Sequence, residues 1–235
     1  MAITINHSSS SFTHTLRYGF GSKSDTIATN VGANYSWAVP ENFAEEMPSS
    51  TSARGTIWCD TYSGSTKIGT SSYIFTVTVP DSMKPTLTSI SLLDTNSKVA
   101  SLLGPGNFLQ ILSNIQVNFN GARSPHGGSV IGYSAEIVGK GQSTTENGGT
   151  FGIMKYNGSI TIRASVTDSR GRTSNVVSVT ANVLEYFSPI LNFKISRGGT
   201  TSSELIADRY ARIAPLTVGT TQKNQMKISF KVAVS

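Results

Sequence analysis

The chain has 235 residues, with 19 Lys and Arg against 13 Asp and Glu, for a net charge of +6. Charged residues are only 14% of it, against roughly 25% in an average soluble protein, so Ser, Thr, Asn and Gly give a polar, largely uncharged surface. Basic residues occur as scattered pairs such as Arg170 with Arg172, Arg209 with Arg212 and Lys223 with Lys227. That spacing excludes the contiguous stripe on which a nucleic-acid binder tracks phosphates, and leaves a weak attraction to acidic cell-wall polymers.

Cys59 is the only cysteine, so no intramolecular disulfide forms and the fold rests on packing. The start, MAITINHSSSSF, has neither the basic beginning nor the apolar core of a signal peptide. No apolar run reaches the roughly 18 residues of a membrane span. The reading is a chain made in the cytoplasm without membrane insertion, long enough for one large β domain or two to three sandwich modules of about 80 to 100 residues.

In chain order, Ile3 and Ile5 suggest a short strand, and Phe12, His14, Leu16, Tyr18 and Phe20 alternate with polar residues over the next. Gly21 to Asp25 reads as a turn. Ala33, Tyr35, Trp37 and Val39 line another inward face, and Pro40 to Met47 suits one or two helical turns, with Pro at the first position and acids behind it. Strands return over Thr56 to Tyr62, at Lys67 and Ile68, and where Tyr73, Phe75, Val77 and Val79 alternate inward. About seven strands in about 80 residues is the density of an immunoglobulin-like or fibronectin-like sandwich. Pro80 to Pro85 reads as a linker.

A second module follows over Leu87 to Leu92, Leu109 to Asn120, Val130 to Ile137, Gly149 to Ile153 and a hairpin from Ser159 to Leu184. In that hairpin Ile160, Ile162, Ala164 and Val166 alternate with polar residues. The pattern resumes at Val177, Val179, Ala181 and Val183 after a turn carrying Gly171. Because a lone hairpin is marginal in water, its apolar face must lie on another sheet. Beyond Pro189, Leu191, Phe193 and Ile195 form a strand face, Arg209 to Leu216 another, and Met226, Ile228, Phe230, Val232 and Val234 a long final strand. The fold class expected is all-β: tandem sandwich modules at 1–82 and 83–186, and an incomplete third module at 187–235, part of a longer protein or completed by another chain.

The site candidates are few. His7, His14 and His126 are the only histidines, without HxxxH or CxxC spacing, and on one continuous strand His7 and His14 would face opposite ways. No GxSxG occurs; Glu41, Glu45 and Glu46 suit a solvated helix start better than a glycosidase pair. Gly139 to Gly149 lacks the GK[ST] of a phosphate loop. The expectation is therefore no enzyme, no catalytic residue, no metal and no cofactor. Trp37 is expected in the core, and Trp58 shares its face with Thr56 and Asp60. His126, Tyr156, Arg170 and Arg172, in loops at the ends of sandwiches where binding is commonly placed, are the candidate ligand-facing residues.

Three stretches, FTHTLRYGFGSKSDTIATNVGANYSWAVPENFAEEMPSS, GTIWCDTYSGSTKIGTSS and ASVTDSRGRTS, together resemble tail proteins of siphophages that infect streptococci and related Gram-positive hosts. APLTVGTTQKNQMKISFKV is similar to the start of that family's next module. The resemblance implies a virion protein of the tail tip or a tail fibre, built of tandem immunoglobulin-like modules, acting as spacer or adhesive element in host attachment. It would sit among other phage tail proteins, as a homo-oligomer in the virion. A rival of another class is a carbohydrate-binding module that recognises a host cell-wall saccharide.

Overall fold

The computed structural model describes residues 1–198 and 205–231. By contacts the chain divides into two compact units, Met1–Leu87 with Gly121–Gly132 and Val166–Asn175, and Thr88–Asn120 with Tyr133–Ser165 and Val176–Ser235. The first therefore takes in two later segments besides the N-terminal stretch, and the second includes the residues after Pro189.

In the first unit β1 (Ala2–Thr4), β2 (Phe12–Phe20), β3 (Lys23–Val31), β4 (Asn34–Ser36), a 3-10 helix (Glu41–Glu46), β5 (Ser52–Ser63) and β6 (Thr66–Thr78) follow one another. β3, β2, β5 and β6 form an antiparallel sheet in that order, and β1 pairs with β4 as a separate ribbon. The alternation in β2 sends Leu16 and Phe20 to one face, joined there by Ile57 and Phe75. Trp37, Phe43, Ala44 and Met47 cover that face. Phe43 stacks on Phe20 with ring centres 4.6 Å apart, and Trp37 meets Phe43 and Phe75 edge-on at 5.9 and 5.6 Å. Offset and edge-on contacts of this kind add to the area the rings bury. Gly55 has no side chain because these rings pass over it: a Cβ there would stand 2.6 Å from Phe75 and 2.8 Å from Phe20.

Three sequence expectations change here. The helix after Pro40 is 3-10, closed by Met47 N–H donating to the Ala44 carbonyl. Lys23–Val31 is a nine-residue strand, so it takes in Lys23 to Asp25 of the expected turn. The turn is only Gly21 and Ser22, with Phe20 opposite Lys23 and Gly21 at φ +57°. Tyr73 does not point into a core; it is 73% exposed. The cover over the inner face stops short of it, leaving a cavity of about 440 Å³ lined by Met1 to Asn6, Leu16, Ile57, Cys59 and Tyr73.

The second unit is built on β7 (Ser89–Asp94), α1 (Ser97–Leu103), β8 (Asn107–Leu109), β9 (Asn114–Asn120), β10 (Val130–Ile137) from Tyr133 on, β11 (Gln142–Thr144), β12 (Thr150–Ile153), β13 (Gly158–Asp168) as far as Ser165, and β14 (Val177–Leu184). One sheet has the order β12-β9-β7 and the other β11-β10-β13-β14-β8, with β8 parallel to β14. Three strands facing four, plus a split first strand that crosses to pair in parallel with the last, is an immunoglobulin-like and fibronectin-like sandwich. Its inner faces follow the period-two pattern: Ile115, Val117 and Phe119 from β9, and Ile160, Ile162 and Ala164 from β13, are buried. Phe119 meets Tyr133 of the opposite sheet with ring centres 4.9 Å apart.

α1 lies between the expected strands Leu87 to Leu92 and Leu109 to Asn120, where no helix was expected. Asn96 caps it by accepting the Val99 N–H, Gly104 at φ +75° ends it, and it buries Val99 and Leu103. Against these two side chains pack Leu109, Ala214 and Leu216. β15 (Ile190–Arg197) and β16 (Leu205–Arg212) pair over eight residues, and β17 (Thr217–Val218) pairs with β18 (Thr221–Gln222). The long final strand is a correction: residues 226–231 form none, and Val232 and Val234 lie outside the described residues. Alternation makes a strand only beside an edge that takes its hydrogen bonds. Here Asn224 bonds back to Leu216 N–H and the Ala214 carbonyl instead.

Candidate functional site

The turn Asp168-Ser169-Arg170-Gly171-Arg172 is shaped by its first residue. Asp168 is fully buried, and its Oδ1 accepts the N–H groups of Arg170 at 3.0 Å and Arg172 at 2.9 Å. Its Oδ2 accepts from Ser124 Oγ at 3.1 Å and from Arg172 Nη2 at 3.5 Å. Gly171, at φ +77°, supplies the left-handed step. So fixed, Arg170 sends its guanidinium inward. Nε donates to the Met47 carbonyl at 2.8 Å, Nη1 to Pro125 at 3.0 Å, and Nη2 to Ala44 at 2.9 Å and to His126.

These carbonyls include those of Ala44 and Met47 at the C-terminal end of the 3-10 helix, where clustered acceptors suit a planar, multidentate cation. Burial, and then the neighbouring Arg172, lower the Arg170 pKa, while Asp168 raises it. Arg172 donates to the carbonyls of Pro80 at 2.9 Å and Met83 at 2.6 Å. Rather than presenting a ligand-facing edge, both arginines bind carbonyl oxygens of their own chain, and Arg170 is only 6% exposed.

The structure thus brings Arg170, Arg172 and the His126 backbone together in the first unit. His126 holds φ +49°. Tyr156 belongs to the second unit, where its hydroxyl donates to Gln142 Oε1 at 2.6 Å and Lys140 Nζ stands 4.5 Å from its ring centre. Burial raises its pKa.

Among the described residues no group of three or more His, Cys, Asp or Glu could hold a metal ion. His7 and His14 nonetheless meet, with ring centres 5.5 Å apart, because His7 lies in the loop before β2 and the two are not on one strand. His14 is buried, Nδ1 stands 3.0 Å from Thr61 Oγ1, and Nε2 has no partner. Burial, and then His7, lower its pKa. A lowered histidine pKa means that the unfolded chain takes up the proton first. Stability of the first unit is therefore expected to fall as pH drops below about 6.5, by at most ~1.4 kcal/mol per pH unit. Urea unfolding at pH 7.5, 6.5 and 5.5 checks this, and His14→Asn should flatten that part of the profile.

The outer face of the four-stranded sheet carries the chemistry that turn reasoning missed. Register places Arg17 opposite Trp58, Thr15 opposite Asp60 and Thr13 opposite Tyr62 on one side of β5, with Ser72, Thr70 and Lys67 on the other. Asp60, 4% exposed, accepts Arg17 Nε at 2.9 Å, Thr70 Oγ1 at 2.7 Å and Lys67 Nζ at 2.7 Å. The Arg17 hydrogen bond, ahead of Lys67 and Thr70, holds its carboxyl well below the usual carboxylate range against the opposing effect of burial. With the folded-state pKa lowered, this stabilisation is present above the unfolded value near ~3.9 and is lost as pH falls below it. Acid unfolding between pH 5 and 2 is expected to be shallower in Asp60→Asn than in the parent.

Trp58 lies across β2 on this face. A Cβ at Gly19 would stand 2.8 Å from its Cη2, so the missing side chain is what lets the indole lie flat, with the Arg17 guanidinium 5.7 Å from its centre. Trp58 and Tyr62 are half-buried, whereas Arg54, Lys67, Thr70 and Ser72 are exposed.

These features define an all-β protein of immunoglobulin-like and fibronectin-like sandwich architecture, with an open polar and aromatic sheet face. The chain belongs to the family described as Siphovirus protein of unknown function (DUF859), which it matches over residues 1–235. No curated protein matches it. Among solved structures it is similar to the fibronectin(III)-like modules of Clostridium thermocellum CbhA, at 16% identity over 79% of this chain and 85% of that one, TM-score 0.32. It is also similar to the chicken CNTN1 FN1-FN3 domains, at 14% identity over 77% of this chain and 62% of that one, TM-score 0.29. No helix among the described residues is long and apolar enough to cross a membrane.

Proposed function

We propose that this is a structural protein of the virion tail of a siphophage infecting streptococci or related Gram-positive hosts. It acts at the tail tip or in a tail fibre as a modular spacer or adhesive element in host attachment, without enzymatic activity. The observation that carries the reading is membership of a siphovirus family along the whole chain, in a protein of packed antiparallel sheets. In such a role rigid β units project a surface, and copies assembled as a homo-oligomer with other tail proteins raise avidity without tight single contacts.

A phage carrying a nonsense codon in this gene tests the proposal. Particles with tails that are incomplete, or that fail to adsorb, are expected. Particles of normal morphology and normal adsorption would contradict it. The open outer sheet face favours a second reading alongside the first, in which the protein also recognises a cell-wall saccharide.

A further inference from the structure

The outer face of β2, β5 and β6 combines three features that no turn or core role requires. First, Trp58 lies flat across the sheet over the bare backbone of Gly19. Core tryptophans are enclosed; this one is only partly buried and lies on the side away from the hydrophobic cluster, whereas Trp37 is 7% exposed inside it. Second, the strand neighbours offer a lawn of hydroxyls: Thr13 and Thr15 from β2, Thr56 and Tyr62 from β5, Thr70 and Ser72 from β6.

Third, charge on this face is unbalanced. Arg17, Arg54 and Lys67 share it with a single carboxylate, Asp60. Asp60 does not compete for a ligand, because its two oxygens are already occupied by Arg17, Lys67 and Thr70. Its effect is to hold the two cations in place while their side chains stay 43% and 45% exposed. A flat aromatic surface takes the apolar face of a sugar ring, hydroxyls and amines take its oxygens, and an excess of fixed positive charge selects an anion.

We propose that this face binds an anionic saccharide polymer, with a sugar ring on the Trp58 indole and a phosphate or carboxylate of the polymer held by the N–H groups of Arg17 and Lys67 that Asp60 does not take. The inference deepens the adhesive reading above and rests on it for its biological setting only, since binding by the purified protein is read separately from the behaviour of the phage. A nucleic acid also offers phosphates and flat rings. This face, however, presents only three cations around a carboxylate and no stripe that would track a backbone.

The test is a titration of the full chain with four probes: a glycosylated poly(glycerol phosphate), hyaluronate, neutral dextran and a single-stranded oligothymidylate. Calorimetry gives the affinity. Intrinsic fluorescence reports the site, because one of the two tryptophans is Trp58. Binding of the phosphate polymer, of hyaluronate, or of both is expected, weakening as salt rises, and which of them binds identifies the anion. Trp58→Ala should weaken it at least about tenfold, a loss in keeping with removal of a stacking platform. Lys67→Gln, which leaves the Arg17 and Asp60 pair intact, should weaken it several-fold and flatten the salt dependence. Thermal unfolding of both variants verifies that the sheet persists, and Lys67→Gln carries the test if Trp58→Ala does not fold. Failure of both polyanions to bind, equal binding of dextran, preference for the oligothymidylate, or undiminished binding by folded variants would overturn the proposal.

Discussion

Arg170→Ala is expected to lower the unfolding free energy of the first unit by more than about 3 kcal/mol. The substitution removes one guanidinium from four carbonyl oxygens: Ala44 keeps the Met47 N–H and Pro125 the Gly128 N–H, but those of Met47 and His126 lose their donor. Each buried acceptor left without a partner costs about 1–3 kcal/mol, less whatever water recovers by entering. Arg170→Lys should recover only part of the loss, because an ammonium cannot span acceptors arranged around a planar fork. Urea unfolding followed by tryptophan fluorescence measures this unit alone, since Trp37 and Trp58 both lie in it. A loss below ~1 kcal/mol would mean that the Asp168 turn does not hold the segments of this unit together.

Phe43→Ala is expected to cost a similar amount, about 3–5 kcal/mol, by a different route. Phe43 is 1% exposed and its ring contacts Phe20, Tyr18 and Trp37 at once, with centres 4.6, 5.1 and 5.9 Å away. It is the residue through which the 3-10 helix closes over the inner sheet face. Truncation leaves a cavity among rings held by a sheet that cannot collapse to fill it. A change in Trp37 emission should accompany the loss, because Phe43 lies against it. Phe43→Leu, which keeps most of the volume, should cost clearly less in the same unfolding experiment.

The strands legible in the sequence are those with one dry side. The β13 alternation of Ile160, Ile162, Ala164 and Val166 is buried as its period of two requires, and Trp37 lies in the core. The first unit's β3 escaped because it is an edge strand of polar residues, KSDTIATNV, in which exposure removes the apolar signal. α1 carries Asn96 and Gly104 as caps, but seven residues are too few for a helical period to stand out.

Distance in sequence hid the rest. DSRGR reads as a turn, yet nothing nearby shows that Arg170 reaches carbonyls 123 and 126 residues earlier. The outer sheet face was half legible, since Trp58 and Asp60 fall on one side of β5 by alternation. Arg17 and Lys67 join them only through the pairing of β2 and β6 with β5, which sequence spacing does not fix. His7 and His14 show the converse: a rule for one continuous strand fails where the chain turns before β2.

The proposed place of this chain in the siphophage tail is tested by electron microscopy of purified particles labelled with gold-conjugated antibody raised against it. Label is expected at the distal end of the tail or along its fibres. Particles that carry no label, or carry it only on the head, would contradict it.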